Sequence, residues 1–209
     1  MPAENVLTFV SPIPKTGCPK PPESWDGLGK PIKKWVYRNA GGEILSGVLR
    51  FDGPGGTKRF RPITLWSDSQ GILHLLLKAP PSPRAIYSLH LLAKRPESPV
   101  LVVEGEKAAD AASKLFPGFV VTTSGSATSA SSADWSPLAG RDVVIWPDAD
   151  EPGRRYAEEA QRHARAAGAA SVVIVVLPPG APDKWDLADF ESNPIPGLDT
   201  VTAVNRQNY

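Results

Sequence analysis

The sequence predicts an α/β protein: a parallel sheet of about four strands with helices on its faces, preceded by a small β-rich region. Two observations predict it. Short β-branched runs alternate with helical patterns from residue 100 onward, and residues 32–66 instead read as hairpins joined by glycine turns. A chain of 209 residues that is 41% hydrophobic can bury a real core.

The elements follow in order. Residues 1–31 are rich in proline ("SPIPKTGCPKPPESWDGLGKP") and carry little periodicity, which predicts an extended arm with Trp25 as its pin. "KKWVYRN", the turn "AGG" and "EILSGVLRFD" make a hairpin with Leu45, Leu49 and Phe51 on one face. "GPGG" turns the chain into "TKRFRPITLW", "GILHLLLK" adds a short apolar segment, and "AIYSLHLLAK" reads as a helix closing this region at residue 97. "VLVVEG" then reads as a strand buried on both faces. "EKAADAASKLF" is helical, "GFVVTT" and "DVVIWPD" are further strands, and "EPGRRYAEEAQRHARAAG" is a long helix. Pro152 stands in its first turn and Gly168 where it should stop. "ASVVIVVLP" is the fourth strand and "DKWDLADF" opens a last short helix. The expected divisions are an arm at 1–31, a β-rich region at 32–97, the α/β domain at 98–195 and a tail at 196–209.

Composition excludes several functions. One cysteine, Cys18, and three scattered histidines permit neither an intramolecular disulfide nor a cysteine-based zinc site. No apolar stretch approaches a membrane span, and the first residues lack a signal-peptide pattern, so a cytoplasmic protein with no membrane partner is expected. The net charge of +1 conceals an asymmetry: residues 1–99 hold 14 Lys+Arg against 7 Asp+Glu, and residues 100–209 hold 9 against 15. Basic surface suits phosphate; clustered acids suit divalent metal.

Those acids fall after strands, where open α/β sheets bind ligands. Glu104 follows the first strand, Asp148 and Asp150 the third, and Asp183, Asp186 and Asp189 the fourth. Two carboxylates two residues apart on an extended segment leave the same face about 6–7 Å apart and repel unless a cation intervenes. Mg²⁺ is the natural cation for hard oxygen ligands. The competing reading makes Asp148 a turn residue, Asp150 a helix cap and Glu104 a surface glutamate.

"VLVVEGEKAADAA", "VVIWPDADEPGRRYA" and "KWDLADF", in this order, resemble the Toprim domain shared by bacterial primases, phage primase-helicases, topoisomerases and OLD-type nucleases. The resemblance covers roughly residues 98–192, and the wording is closest to replication proteins of phages, plasmids and integrative elements. It implies a compact Rossmann-like sheet, Glu104 as general acid/base, Asp148 and Asp150 as ligands of Mg²⁺ (or Mn²⁺), and Asp186 as a further acidic position for which Asp183 and Asp189 compete. Many bacterial primases carry Asp four residues after the motif glutamate; this chain has Ala108, which leaves a second metal position without its acid. No P-loop signature is present.

Three functions are implied: a primase-like nucleotidyltransferase making primers on single-stranded DNA from NTPs, a Toprim nuclease, or a non-catalytic nucleic-acid-binding module of a larger replication protein. A replicative helicase is a further expected partner. Lys107, Arg154 and Arg155 stand close to the acids and are candidate phosphate ligands; the alternatives are a solvated lysine and arginines paired with Glu158 and Glu159. Arg59 and Arg61, among the aromatics of the front hairpins, are candidate contacts to a nucleic-acid strand, with sheet alternation as the competing explanation. The hydroxyl-rich loop 122–132 either lines the site or is a polar surface loop.

Overall fold

Two compact units divide the chain, Met1–Ser82 and Pro83–Tyr209, in a computed structural model that describes residues 6–178, 180–190 and 192–194. The expected tail at 196–209 lies outside the described residues.

The first unit is an antiparallel sheet of β1 (Thr8–Val10), β2 (Lys33–Arg38), β3 (Ile44–Asp52), β4 (Lys58–Ser67) and β5 (Leu73–Leu76), in the order β1-β4-β3-β2, with β5 also on β4. The turn between β2 and β3 is closed by Asn39, whose side chain accepts from the Glu43 amide at 2.9 Å, and by Gly42 at φ +88. β4 is long enough to serve two neighbourhoods: Lys58–Ile63 pairs with β3, and Thr64–Ser67 pairs with β5. Leu49, Phe51 and Ile63 form the core of this sheet, with Trp25, Leu28, Leu75 and Leu77 packed against them. Trp25 therefore does pin the proline-rich segment. That segment is more than an arm, however, because Thr8–Val10 pairs with Leu65–Ser67 as a full strand. A three-residue strand enclosed by prolines leaves no periodicity to read.

The second unit contains α1 (Leu89–Lys94), β6 (Val100–Val102), α2 (Glu106–Leu115), β7 (Val120–Thr122), β8 (Asp142–Ile145), α3 (Glu151–Ala166) and β9 (Ser171–Ile174). Its four strands are parallel in the order β7-β6-β8-β9. β6 and β8 lie inside the sheet, which explains their unbroken apolar sequences. Successive residues alternate between faces: Val100, Val102, Val143 and Ile145 meet Tyr156, Ala157 and Ala160 of α3, while Leu101, Val103, Val144 and Trp146 meet Ala108, Ala109 and Ala112 of α2. The two crossovers run in opposite directions from the centre, so a common right-handed connection puts α2 and α3 on opposite faces. α1 packs against β7, so it belongs to this unit and not to the β-rich one. Proximity in sequence had grouped it with the strands before it.

α3 ends as its sequence predicts. Gly168 takes φ +85, its amide donates to Arg165 O at 3.0 Å, and the Ala169 amide reaches Ala164 O at 3.1 Å. This is the paired bonding that satisfies the last carbonyls of a helix. The "DKWDLADF" helix reduces to one 3₁₀ turn, Leu187–Asp189. No helix among the described residues is long and apolar enough to cross a membrane.

Candidate active site

From β6 the chain winds outward to β7, then returns to place β8 on the opposite side of β6. Where winding reverses, the loops leaving the two neighbouring strands part and open a crevice at their carboxyl ends. Glu104 leaves β6 and Asp148 leaves β8 at this point. The sheet bonding continues beyond the strand ends, with the Val103 amide on Thr122 O (3.0 Å) and the Trp146 amide on Val102 O (2.8 Å). Both acids therefore start from well-tethered backbone.

Each acid is held by specific contacts. Thr123 Oγ1 donates to Glu104 O at 2.6 Å and accepts from the Gly125 amide at 3.0 Å. The Ala127 amide lies close enough to the Glu104 carboxylate to oppose part of its raised proton affinity, so the hydroxyl-rich loop lines the site. Asp150 caps α3 by accepting from the Gly153 amide at 2.7 Å. Between the two aspartates, Ala149 donates to Trp185 O (2.9 Å) and accepts from the Lys184 amide (3.2 Å). Those bonds bring Asp186, the next residue after Trp185, beside the aspartate pair. Trp185 is buried and anchors its own loop through its indole N–H to Asn193 O at 2.6 Å.

The charges make the crevice strongly acidic. Burial pushes the Asp148 carboxyl up to about 8, and the negative charges of Glu104, Asp186 and Asp150 add to the shift against a smaller opposing effect of Lys107. Burial, followed by Asp150 and Asp186, also raises Glu104 above the usual range. Its Oε2 is buried with no hydrogen-bond partner. Lys107 of α2 meets Asp186 at 3.1 Å and Asp189 at 3.5 Å. Burial disfavours its charge, but these two carboxylates outweigh that and raise its pKa.

A divalent cation fits this set. Its donors are hard carboxylate oxygens, one of them orphaned, in a place where negative charge has no full counterweight. Among the described residues no three His, Cys, Asp or Glu side chains form a ready cage. Asp150 commits one oxygen to the α3 cap, and Asp186 is engaged by Lys107 and by the Ala188 amide at 2.6 Å. Mg²⁺ suits such an incomplete set, because it is commonly held by one or two carboxylates plus substrate phosphates.

The other expected residues are placed as follows. Lys107 is paired with acids, not merely solvated. Arg154 pairs with Glu151 at 2.6 Å and Arg155 lies 3.9 Å from it, so their partner is the acid before them and not Glu158 or Glu159. Arg59 and Arg61 belong to the first unit, on β4 opposite Phe51 and Leu49. Trp35, Tyr37 and Trp66 of that sheet are buried, while Phe60 is exposed.

Two supporting residues escaped the sequence reading. Tyr156 of α3, 1% exposed, donates to Val103 O at 3.1 Å and accepts from Ser124 Oγ at 3.1 Å. One phenol thus ties the β6 end, the β7 loop and α3 together immediately behind Glu104. Gly153 lies so close to the turn before it that a Cβ would fall 2.5 Å from Asp148 O and 2.9 Å from Asp148 N. The glycine is needed for space. Its position three residues after Asp150, in the first turn of a helix, was the available signal.

A DNA primase domain from Pseudomonas aeruginosa superposes with a TM-score of 0.52 at 14% identity, over 83% of this chain and 50% of that one. The Aquifex aeolicus primase (zinc-binding and RNA polymerase domains) gives a TM-score of 0.54 at 16% identity, over 83% of this chain and 39% of that one. The fold is primase-like. The chain spans half or less of the length of these structures. A family model described as Domain of unknown function (DUF6371) matches residues 57–149, a span that includes Glu104 and Asp148. No curated protein matches the sequence.

Two outcomes follow. A folded Asp148 that holds its proton up to about 8 costs stability as pH rises from the unfolded carboxyl value of 3.8, and the cost is complete above about 8. Asp148→Asn removes that cost, so in metal-free buffer it should raise the melting temperature at pH 8 and leave it nearly unchanged at pH 4. An equal effect at both values contradicts the assignment. Gly153→Ala should destabilise the protein by about 1–3 kcal/mol in urea titration, as overpacking of a close contact does; an unchanged midpoint contradicts the steric role.

Proposed function

We propose that the chain is a primase-type nucleotidyltransferase that joins nucleoside triphosphates on a single-stranded DNA template. One observation carries this reading: Asp150 and Asp186 lie close enough to act on both Glu104 and Asp148 at the switch point of the sheet, three loops thus meeting there, with Glu104 Oε2 buried and unpartnered. The primase-like fold supports it.

In this reading Asp148 and Asp150 would hold Mg²⁺, or Mn²⁺ in its place, with Asp186 as a further acid. When bound, the ion neutralises charge that develops on the reacting phosphate. Glu104 Oε2 accepts the proton of an attacking 3′-hydroxyl. Its raised proton affinity, caused by burial and neighbouring acids, suits it to that task. The hydroxyl oxygen bonds to the α-phosphorus as the bond to the β-phosphate oxygen breaks, and pyrophosphate leaves. Lys107, Arg154 and Arg155 provide cations for the triphosphate. In the first unit, the half-exposed Arg59 and exposed Arg61 of β4 provide cations for a nucleic-acid backbone.

A second reading is favoured by one observation, the lack of a ready three-acid cage among the described residues. It makes the chain a nucleic-acid-binding module with a weak ion site and no turnover. Incorporation of labelled NTPs on single-stranded DNA with Mg²⁺ separates the two. The wild type should extend, and Glu104→Gln should lose about 10²–10⁴-fold of the rate, the usual contribution of a general base. Equal rates for the two proteins remove Glu104 from the chemistry. A wild type that binds DNA without incorporating nucleotide supports the second reading.

A further inference from the structure

A groove of about 430 Å³ opens beside the carboxylates on the far side of β8, between the first turns of α3 and the chain leaving β9. Its floor is the Pro147–Ala149 segment, the same backbone that presents Asp148 to Glu104. One wall is the aliphatic run from Ile174 to Leu177, closed by Pro178 and Ala181. The other wall is α3, with Ala157 at the back and Arg154 and Glu158 on it. Val176, two residues beyond the end of β9, lines the groove with 79% of its surface exposed, next to the buried Val175. The proposed phosphate chemistry makes no use of this apolar surface.

We infer that the groove is the base-and-ribose subsite for the nucleoside triphosphate, an inference that rests on the nucleotidyltransferase reading. Four properties support this occupant. The volume falls in the range of small-molecule sites, which are mostly apolar with a few polar groups to orient the ligand. Aliphatic walls offer the face of a base a sequence-tolerant surface, and Glu158 offers an acceptor for ribose hydroxyls or an exocyclic amine. The shared Pro147–Ala149 floor means that a nucleoside seated here projects its phosphates toward Asp148. Arg154, whose side chain is 63% exposed and held only by a surface pair with Glu151, can swing to that phosphate tail at little cost. The Gly153 close approach fixes the first turn of α3 against the floor, so the width of the groove is set by the same contact that positions the aspartates.

The test compares binding of ATP and of inorganic tripolyphosphate to the full chain in Mg²⁺ by calorimetry. ATP should bind about tenfold more tightly than tripolyphosphate, the increment expected from burying one face of a base against aliphatic surface. Ala181→Leu, which fills the groove, and Val176→Ser, at an exposed position that does not endanger folding, should each remove most of that increment. Both should leave tripolyphosphate affinity within about twofold. Equal affinity for the two ligands in the wild type, or an increment untouched by Val176→Ser, overturns the subsite while leaving the carboxylate chemistry standing. No Mg²⁺-dependent binding of either ligand overturns both the subsite and the reading beneath it.

Discussion

Repulsion among carboxylates that the fold takes out of water is the constraint on which the rest of this unit turns. Four acids from loops after three strands occupy one crevice, and the most affected, Asp148, holds its proton up to about 8. Such an arrangement is unfavourable for a bare protein. It persists only because the surrounding structure over-determines the backbone that carries the acids. It becomes favourable when a divalent ion and phosphate oxygens supply the missing positive charge and coordination.

That over-determination is visible bond by bond. Glu104 O is held by Thr123, Val103 O by Tyr156, Ala149 by both Trp185 and Lys184, and the Asp150 side chain by the first turn of α3. Tyr156 and Gly153 come from the same helix, yet one braces the loop of Glu104 and the other gives room to the loop of Asp148. α3 is thus the common support for both sides of the crevice. Lys107 moderates the charge at the Asp186 edge without filling the centre. On the proposed reading the acids serve phosphate and metal, and the apolar groove behind β8 supplies the complementary surface for the uncharged part of a nucleotide.

Much of this was legible from residue order. The β-branched runs of β6 and β8 marked strands covered on both faces, and acids directly after them marked the rim where ligands bind. Gly168 marked the end of α3 because its left-handed conformation has a strong residue preference. Other features had no local signal. The pairing of Thr8–Val10 with β4 is a contact between segments far apart in sequence. The attachment of α1 to the parallel sheet depends on tertiary packing, so the division at Ser82 could not be read from its own short helix. Arg154 and Arg155 had acids available on both sides in sequence, and the choice of Glu151 depends on side-chain geometry at the helix start. Tyr156 looked like one more apolar position of an amphipathic helix; only the fold shows its hydroxyl reaching Val103.

Diffraction from crystals grown with Mn²⁺, recorded at the manganese absorption edge, tests the arrangement most directly. The predicted result is an anomalous peak within ligating distance of the Asp148 and Asp150 carboxylates, on the side facing Glu104. Crystals grown at saturating Mn²⁺ that show no manganese there, or that show Glu104 turned away from the two aspartates, would contradict the reading of this crevice as a metal-dependent phosphoryl-transfer site.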